Sequence, residues 1–215
     1  AAGGVVLLWN LDEIEPRRIA DASPGAALVS ADQALVASLD DPGQWIDLKT
    51  GTRTPVGPLA GIASVSPSAD GQRALVVDGL HHARMIAQSG EVRDLDGDIT
   101  AGAILDDKRY VIATPDELRL HDGDRETTLH AHPGCTWLAA TPEGLVAAAF
   151  EDGTIWRGSV TDPRGTTLHV EAPVTAGALV HDGHLLVVTG GELAVWAPND
   201  VKLQGSEQLS ANAAL

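Results

Sequence analysis

Short apolar segments, interrupted by acidic or glycine-containing turns, recur along the whole chain. Each repeat has an apolar stretch, a turn with Asp, Glu or Gly, and a second apolar stretch. The turn acids stand 38, 37, 36 and 39 residues apart: Asp32, Asp70, Asp107, Glu143 and Asp182. A large apolar residue before a polar turn has a similar spacing: Trp9, Ile46, Ile86, Leu120, Trp156 and Trp196. Two landmarks therefore share one period, and this indicates a repeat architecture.

Each period contains four segments of strand length. In the first complete period they cover roughly residues 26–30, 34–39, 44–48 and 52–59, and turn-forming residues separate them. Segments rich in Val, Ile, Leu, Thr and Trp predict half-buried antiparallel strands. Helix signals are scarce, because Pro16 interrupts the one short stretch of helix formers. Four strands per period are typical of an all-β fold, the β-propeller, whereas a β-sandwich would not return the same motif at a fixed interval.

The period divides the chain into five full blades and part of another. The predicted blades are residues 23–59, 60–99, 100–134, 135–173 and 174–212 of one continuous domain, and residues 1–22 supply only the outer strands of an incomplete blade. An open sheet edge exposes unpaired backbone groups. We therefore expect a further polypeptide to complete the ring, so that this chain is the C-terminal portion of a larger protein. The alternative is a five-bladed ring in which the first hairpin pairs against the fifth blade.

Residues 132–159 carry the clearest motif. His132 precedes an apolar strand, residues 139–144 form a turn, and Asp152 lies in an acidic turn that leads to Trp156. This unit resembles a WD40 repeat. The family often joins an Asp, a His, a Ser or Thr and a Trp by hydrogen bonds, and here Asp152, His132 and Trp156 match. The hydroxyl position falls on Ala148, and Trp156 is followed by Arg157 rather than by Asp. The resemblance implies structural roles in the blades for these three residues, and we expect Trp9 and Trp196 to pack between blades as Trp156 does.

Composition and charge narrow the possible partners. The 215 residues are 44% hydrophobic, and 30 Asp and Glu against 14 Lys and Arg give a net charge of −16. Such a surface repels phosphate backbones and anionic lipid, so we expect neither nucleic-acid nor membrane binding. A single cysteine excludes an internal disulfide. The chain has 11 Arg and only 3 Lys, and this composition favours a bacterial source. No signal-peptide pattern is present, and we expect a cytoplasmic location.

No motif predicts catalysis, a cofactor or a metal. His130, His132 and Cys135 have the spacing H-x-H-x-x-C, which zinc could use. However, His132 already has a role in the blade, and Cys135 begins an inner strand, where small buried residues are common. The glycine pairs stand beside strands rather than at helix N-termini, so they form no phosphate cradle. We expect no catalytic residue, no cofactor and no metal site.

Two tryptophans are possible interaction residues. Trp45 is offset by one from the repeated landmark, and alternation along a strand would turn it to the opposite face. Trp137 lies on a predicted inner strand. Packing in the core is the competing interpretation for both, and we favour it.

The sequence favours a non-enzymatic module for protein–protein interaction. WD40-like propellers act as scaffolds or sensors, often attached to catalytic domains. The resemblance therefore implies a sensor or regulatory portion of a larger protein or assembly, which binds a protein partner through the propeller face. An acidic face favours a basic partner. The alternative is a ligand-binding or hydrolytic propeller with a site at the mouth of the central channel. Small residues at the blade starts, such as Ala26, Ala63, Ala101 and Ala176, argue against it.

Overall fold

The computed structural model describes residues 4–8, 17–23, 25–37, 42–59, 61–180, 182–198 and 205–208. These residues form strands and turns, and none of them is helical. Consequently, this part of the chain offers no helix with the length and apolar character needed to cross a membrane. The chain separates into two units, residues 1–97 and residues 98–215.

The first unit contains one two-stranded sheet and two four-stranded sheets. The two-stranded sheet pairs β1 (Gly4–Leu8) with β2 (Arg17–Ser23). Blade 1 consists of β3 (Ala26–Ser30), β4 (Gln33–Val36), β5 (Gln44–Asp47) and β6 (Arg53–Pro55). Blade 2 consists of β7 (Ser64–Pro67), β8 (Arg73–Val77), β9 (Ala83–Ala87) and β10 (Val92–Leu95).

The second unit contains three four-stranded sheets. Blade 3 consists of β11 (Ala101–Ile104), β12 (Arg109–Ala113), β13 (Glu117–Asp122) and β14 (Arg125–Ala131). Blade 4 consists of β15 (Cys135–Ala140), β16 (Leu145–Phe150), β17 (Thr154–Ser159) and β18 (Asp162–His169). Blade 5 consists of β19 (Val174–Leu179), β20 (Leu185–Thr189), β21 (Glu192–Trp196) and β22 (Gly205–Gln208).

Every blade is an antiparallel meander in which strands follow one another in chain order. Within the second unit, the first strands β11, β15 and β19 lie beside one another, so the three sheets are arranged about their first strands. Five four-stranded meanders of this kind define the all-β propeller fold that the sequence predicts.

The strands of blade 1 follow the prediction closely until the last one. The first three begin within one residue of the expected positions, but β6 covers only Arg53–Pro55 instead of residues 52–59. Pro55 and Pro58 have no backbone N–H to donate, and Gly57 has a φ of +80°, so regular strand pairing ends at Pro55, although Val56 N still donates to the Gly43 oxygen at 2.9 Å. The first predicted hairpin is present as β1 and β2, which pair with each other.

The spacing of the repeated large apolar residue predicts that it occupies the same position in every blade. In the structure it does not. Trp156 lies opposite Ala148, the third residue after Leu145. In blade 3 the corresponding residue is Arg119, which lies opposite Ile112, the third residue after Arg109. Leu120 is therefore one residue beyond the position of Trp156 and on the other face of its sheet.

The core of the second unit lies between consecutive blades. Between blades 3 and 4, small residues of one sheet, such as Ala103 and Ala113, face large residues of the next, such as Phe150 and Trp156. The other face of blade 4 presents Ala147, Ala149 and Ile155 to a second cluster that includes residues of blade 5: Val174, Leu185, Val187, Ala194 and Trp196. Full burial of one large apolar side chain contributes about 1.5–3 kcal/mol, so these two contacts between blades dominate the stability of the unit.

The ring of Trp156 packs over two glycines of its own blade. A Cβ built on Gly158 would lie 2.4 Å from the ring, and one built on Gly165 would lie 2.5 Å from Nε1 and 2.6 Å from the Arg157 carbonyl oxygen. Gly165 also has a φ of +56°, which disfavours any side chain. Gly123 has a similar φ of +59°, yet a Cβ there would meet nothing within 4 Å.

We expect Gly165→Ala to lower the free energy of unfolding by about 2–4 kcal/mol, because the strained backbone and the clash with Trp156 both contribute. Gly123→Ala carries the backbone strain alone and is expected to cost about 1 kcal/mol. Urea unfolding followed by circular dichroism measures both. Equal losses of unfolding free energy in the two variants would show that the contact with Trp156 adds nothing to the cost of a side chain at position 165.

Candidate functional site

Loops of neighbouring blades join at one end of the second unit. In each meander, the turn between the second and third strands lies at the same end as the connection to the next blade. Backbone hydrogen bonds link these segments: Gly134 N donates to the Pro115 oxygen at 3.2 Å, and Glu151 N donates to the Gly134 oxygen at 2.9 Å. We name this surface the acidic end and define it as residues 98–100, 114–116, 132–134, 151–153, 171–173 and 190–192.

The residues that define the acidic end include six acidic side chains and no lysine or arginine; just beyond them, at the start of β13, Arg119 Nε lies 2.7 Å from Glu117 Oε1. The acidic residues of this end are Asp98, Asp116, Glu151, Asp152, Glu171 and Glu192. The first five are exposed and Glu192 is half-buried. None of the loop residues that define this end is a lysine or an arginine, and His132 is their one basic side chain. This end therefore has a negative potential that attracts cationic groups.

The opposite end of the same blades has mixed charges. Its turns hold ion pairs, with Arg109 Nε 2.7 Å from Asp106 Oδ2 and Arg164 Nε 3.0 Å from Asp162 Oδ1. Lys108 lies in the same turn as Asp106. The opposite end therefore combines acidic and basic side chains, whereas the loop residues that define the acidic end include no lysine or arginine.

The structure brings His132 and Asp152 together at the acidic end. His132 Nε2 lies 3.3 Å from Asp152 Oδ2, and the His132 ring packs against Phe150 with centroids 4.2 Å apart. Asp152 Oδ1 accepts a hydrogen bond from Thr154 N at 2.9 Å. The hydrogen bonds from Thr154, followed by the positive charge on His132, lower the pKa of Asp152. Asp152 therefore remains a carboxylate at neutral pH and tethers His132.

Trp156 does not join this pair through a hydrogen bond. Its side chain is fully buried, and Nε1 has no hydrogen-bond partner among the residues that the structure describes. Ala148 lies directly across the sheet and has no hydroxyl to offer. Instead, the ring of His130 stacks on Trp156 with centroids 5.2 Å apart and planes 14° apart. Contact between rings thus takes the place of the hydrogen-bonded set that the resemblance implies.

The other tryptophans lie in different places. Trp196 is 4% exposed and belongs to the core between blades 4 and 5, whereas Trp9 lies outside the described residues. Trp45 is 1% exposed, and its Nε1 donates to Gln33 Oε1 at 2.7 Å, so it is a core residue in this structure. Trp137 is half-buried and packs against the core between blades 4 and 5, where its ring faces Gly177.

The residues of the H-x-H-x-x-C spacing do not form a ligand set. Cys135 is buried, and burial raises the pKa of its thiol to about 12. A thiol with this pKa is protonated at neutral pH and is a poor nucleophile and metal ligand. Within the described part of the chain, no three His, Cys, Asp or Glu side chains are grouped so that they could hold a metal ion.

The structure also contains a cleft that sequence reasoning missed. It has a volume of about 510 Å³ and lies between β18 of blade 4 and blade 5. We name it the interblade cleft; its walls include Leu168, His169, Glu171, Glu192, Ala194 and Trp196. These residues come from two separate segments that form no recognisable motif, so only the packing of the two blades brings them together.

The fold is that of the WD40 β-propellers. The solved WD40 β-propeller domain of Doa1 superposes on this chain with a TM-score of 0.77, covers 97% of it and is 15% identical to it. The match spans 77% of the Doa1 chain. At this identity the likeness establishes the fold alone.

Two further structures give the same result. U3-55K matches with a TM-score of 0.72 and 13% identity over 95% of this chain and 67% of its own. The β-propeller domain of Cps50 (Swd1) from Myceliophteria thermophila matches with a TM-score of 0.69 and 14% identity over 86% of this chain and 72% of its own. No family model and no curated protein matches the sequence.

The stacked histidine predicts acid sensitivity. Burial, and then the charge of His132, lowers the pKa of His130. The unfolded chain then binds a proton more readily than the folded one, so stability is present above the ordinary histidine pKa of about 6.5 and is lost as pH falls through it. Replacement of His130 by Phe keeps a ring at this position and removes the titration.

We expect the free energy of unfolding to fall more steeply between about pH 7.5 and 5.5 in the unchanged protein than in His130→Phe. His169→Gln, which removes an exposed histidine, should keep the steep dependence. Urea unfolding at several pH values measures the three slopes. Parallel slopes for the unchanged protein and His130→Phe would contradict the assignment.

Proposed function

We propose that this chain is a non-enzymatic interaction module that binds a basic segment of a protein partner at the acidic end. The observation that carries the proposal is the unequal charge of the two ends: the residues that define the acidic end include six acidic side chains and no lysine or arginine, whereas the turns at the opposite end combine acidic residues with Lys108, Arg109 and Arg164. Charge of one sign on a rigid frame favours association with the opposite sign and speeds encounter.

The frame beneath the acidic end suits recognition. Its loops are short, and backbone hydrogen bonds join several of them, so the loop backbones that carry the carboxylates are ordered before a partner arrives. WD40-like propellers in general act as scaffolds or sensors, which supports a sensor or regulatory role in a larger cytoplasmic protein or assembly. The negative charge disfavours nucleic acid and anionic membranes as partners. A hydrolytic or ligand-binding propeller remains the alternative, but the described residues supply no catalytic or metal-binding group that favours it.

Photo-crosslinking tests which end binds. A photoreactive amino acid placed at Asp116 at the acidic end, or at Asp124 at the opposite end, is irradiated in an extract of the source cells, and mass spectrometry identifies the adducts. We expect one protein to be captured from position 116, at a lysine- or arginine-rich segment, and not from position 124. Capture from position 124 alone would place the partner elsewhere.

The captured partner then allows a charge test. Asp116→Asn/Glu151→Gln is expected to weaken its binding by about 3–10-fold at low salt, since each exposed pair contributes up to about 1 kcal/mol. The control Asp124→Asn/Glu143→Gln removes the same charge from the opposite end and should leave the affinity unchanged. Equal losses would show that net charge, rather than the acidic end, controls binding.

We propose further that a second polypeptide adds two strands beside β1 and so completes a blade. Among the described residues, β1 has a neighbouring strand on one side only, whereas the third strand of every blade has two neighbours. Leu28 on β3 is 57% exposed, although Ala34 and Ile46 on the same face of blade 1 are 2% and 1% exposed. The corresponding residue of blade 3 is Ile104, which also lies opposite the second residue of the next strand, and it is 5% exposed.

Two added strands would pair with the open edge of β1 and cover Leu28. Light scattering and denaturing mass spectrometry of the protein isolated from its source cells should then show a second polypeptide. Leu28→Arg should release that polypeptide, whereas Leu80→Arg, which changes a 65% exposed leucine in a turn of blade 2, should not. A monodisperse single chain would contradict this proposal.

A further inference from the structure

Asp-Gly dipeptides recur in the turns and connections of this chain, and each contains the atoms for one spontaneous reaction. The glycine nitrogen attacks the carbonyl carbon of the aspartate side chain, and a cyclic succinimide forms as the carboxyl oxygen leaves as water. Water then opens the ring at one of its two carbonyls, which restores aspartate or yields isoaspartate. Glycine permits this attack because it has no Cβ to obstruct it. The chain has six such dipeptides: Asp70-Gly71, Asp78-Gly79, Asp96-Gly97, Asp122-Gly123, Asp152-Gly153 and Asp182-Gly183.

Hydrogen bonds hold five of the six dipeptides in conformations that oppose the reaction. At the hairpin of blade 3, Asp122 belongs to the ladder of β13, and Gly123 N donates to the Lys108 oxygen at 3.3 Å. The other four carboxylates accept hydrogen bonds from backbone N–H groups at 2.8–3.0 Å: Asp70, Asp78, Asp152 and Asp182. The nitrogen and the carboxyl carbon can meet at these sites only after such a bond breaks.

Asp96-Gly97 differs from the other five dipeptides. It lies between the end of β10 at Leu95 and the buried Ile99, and both of its residues are exposed. Within the described part of the chain, neither the Asp96 carboxylate nor the Gly97 N–H takes part in a hydrogen bond or an ion pair. Gly97 has a φ of +108°, and a Cβ built on it would meet nothing within 4 Å. The backbone therefore has room to turn toward the side chain.

The hydrogen bonds at the other sites are strong enough to select between the dipeptides. Breaking one hydrogen bond to a charged group slows a reaction that requires it by about ten- to a hundredfold. The Ser68 hydroxyl lowers the pKa of Asp70, and the Thr154 N–H lowers that of Asp152. Less of the protonated carboxyl, whose hydroxyl leaves as water, is then present at these two sites.

We infer that Asp96-Gly97 is the site at which the folded protein forms isoaspartate. The exposed carboxyl group and the adjacent backbone nitrogen, neither of them held by a hydrogen bond, carry the assignment. The product adds one methylene to the backbone after β10 and keeps a carboxylate at the surface. Such an isoaspartate is the group that isoaspartate carboxyl methyltransferases recognise, so the modified chain becomes a substrate for this class of enzyme. The inference is independent of the proposed function.

Incubation of the full chain in water enriched in heavy oxygen tests the site, because each opened succinimide takes up one oxygen atom from the solvent. The folded protein is kept in neutral buffer below its unfolding temperature and then digested, and mass spectrometry with electron-transfer fragmentation locates isoaspartate and heavy oxygen. We expect both to accumulate at position 96 at least about tenfold faster than at any other Asp-Gly dipeptide. In urea, which removes the hydrogen bonds, all six should react at similar rates.

Two variants with the same substitution complete the test. Asp96→Glu keeps the charge but would require a larger ring, so labelling at this position and methylation by an isoaspartate carboxyl methyltransferase should both be lost. Asp124→Glu makes the same change at an exposed residue that no glycine follows, and it should leave the rate at position 96 unchanged. Equal rates at the six sites of the folded chain, faster reaction at a hydrogen-bonded site, or isoaspartate at position 96 only in urea would overturn the inference.

Discussion

Packing of consecutive sheets against one another is the interaction on which the rest of this structure depends. A blade in the middle of the second unit has no face left for solvent, so both of its faces must fit a neighbour. Blade 4 meets this demand by mixing small and large side chains on both faces: Ala147, Ala149 and Ile155 on one, and Ala148, Phe150 and Trp156 on the other. Small residues let the next sheet approach, and the large ones fill the remaining space at the density of a protein interior.

This arrangement leaves the ends of the strands free for other tasks. The core lies between the sheets, so the loops bury few side chains of their own and can carry charge without weakening the packing. Hydrogen bonds between the loops of blades 3 and 4, through Gly134, hold them in a fixed order. Fixed loops with exposed carboxylates form a surface whose shape comes from the fold and whose charge comes from the sequence.

The fold could be predicted from the sequence because the repeat can be recognised even where the secondary structure of a single segment is ambiguous. The returning turn acids and four strand-length segments per period suffice for a propeller of five blades. The register within blades could not be predicted, because both faces of these strands are buried and no exposed face marks the alternation. For this reason Arg119, rather than the predicted Leu120, occupies the position in blade 3 that Trp156 occupies in blade 4. For the same reason Trp45 is buried, although it lies on the opposite face of its strand from the repeated landmark.

The candidate site was predictable only in part. The charge of the acidic end follows from turn residues, which the repeat pattern locates along the chain. The interblade cleft joins residues 168–172 to residues 189–196, and its volume depends on how two sheets meet at their edges. No local sequence pattern encodes how closely the edges of the two sheets approach, so only three-dimensional packing reveals the cleft.

The contact between blades 3 and 4 shows how packing can replace a hydrogen bond. An unpaired buried N–H such as Trp156 Nε1 costs about 1–3 kcal/mol. Burying an aromatic side chain of about 150–250 Å² at about 25 cal/mol per Å² contributes about 4–6 kcal/mol, which exceeds that cost. The chain can therefore hold Ala148 where a WD40 repeat often has a hydroxyl, provided that the ring keeps close contacts on all sides. His130 supplies one of these contacts and the glycines below the ring supply others. A blade contact built in this way depends on shape, and the identities of the small residues around Trp156 matter as much as the tryptophan itself.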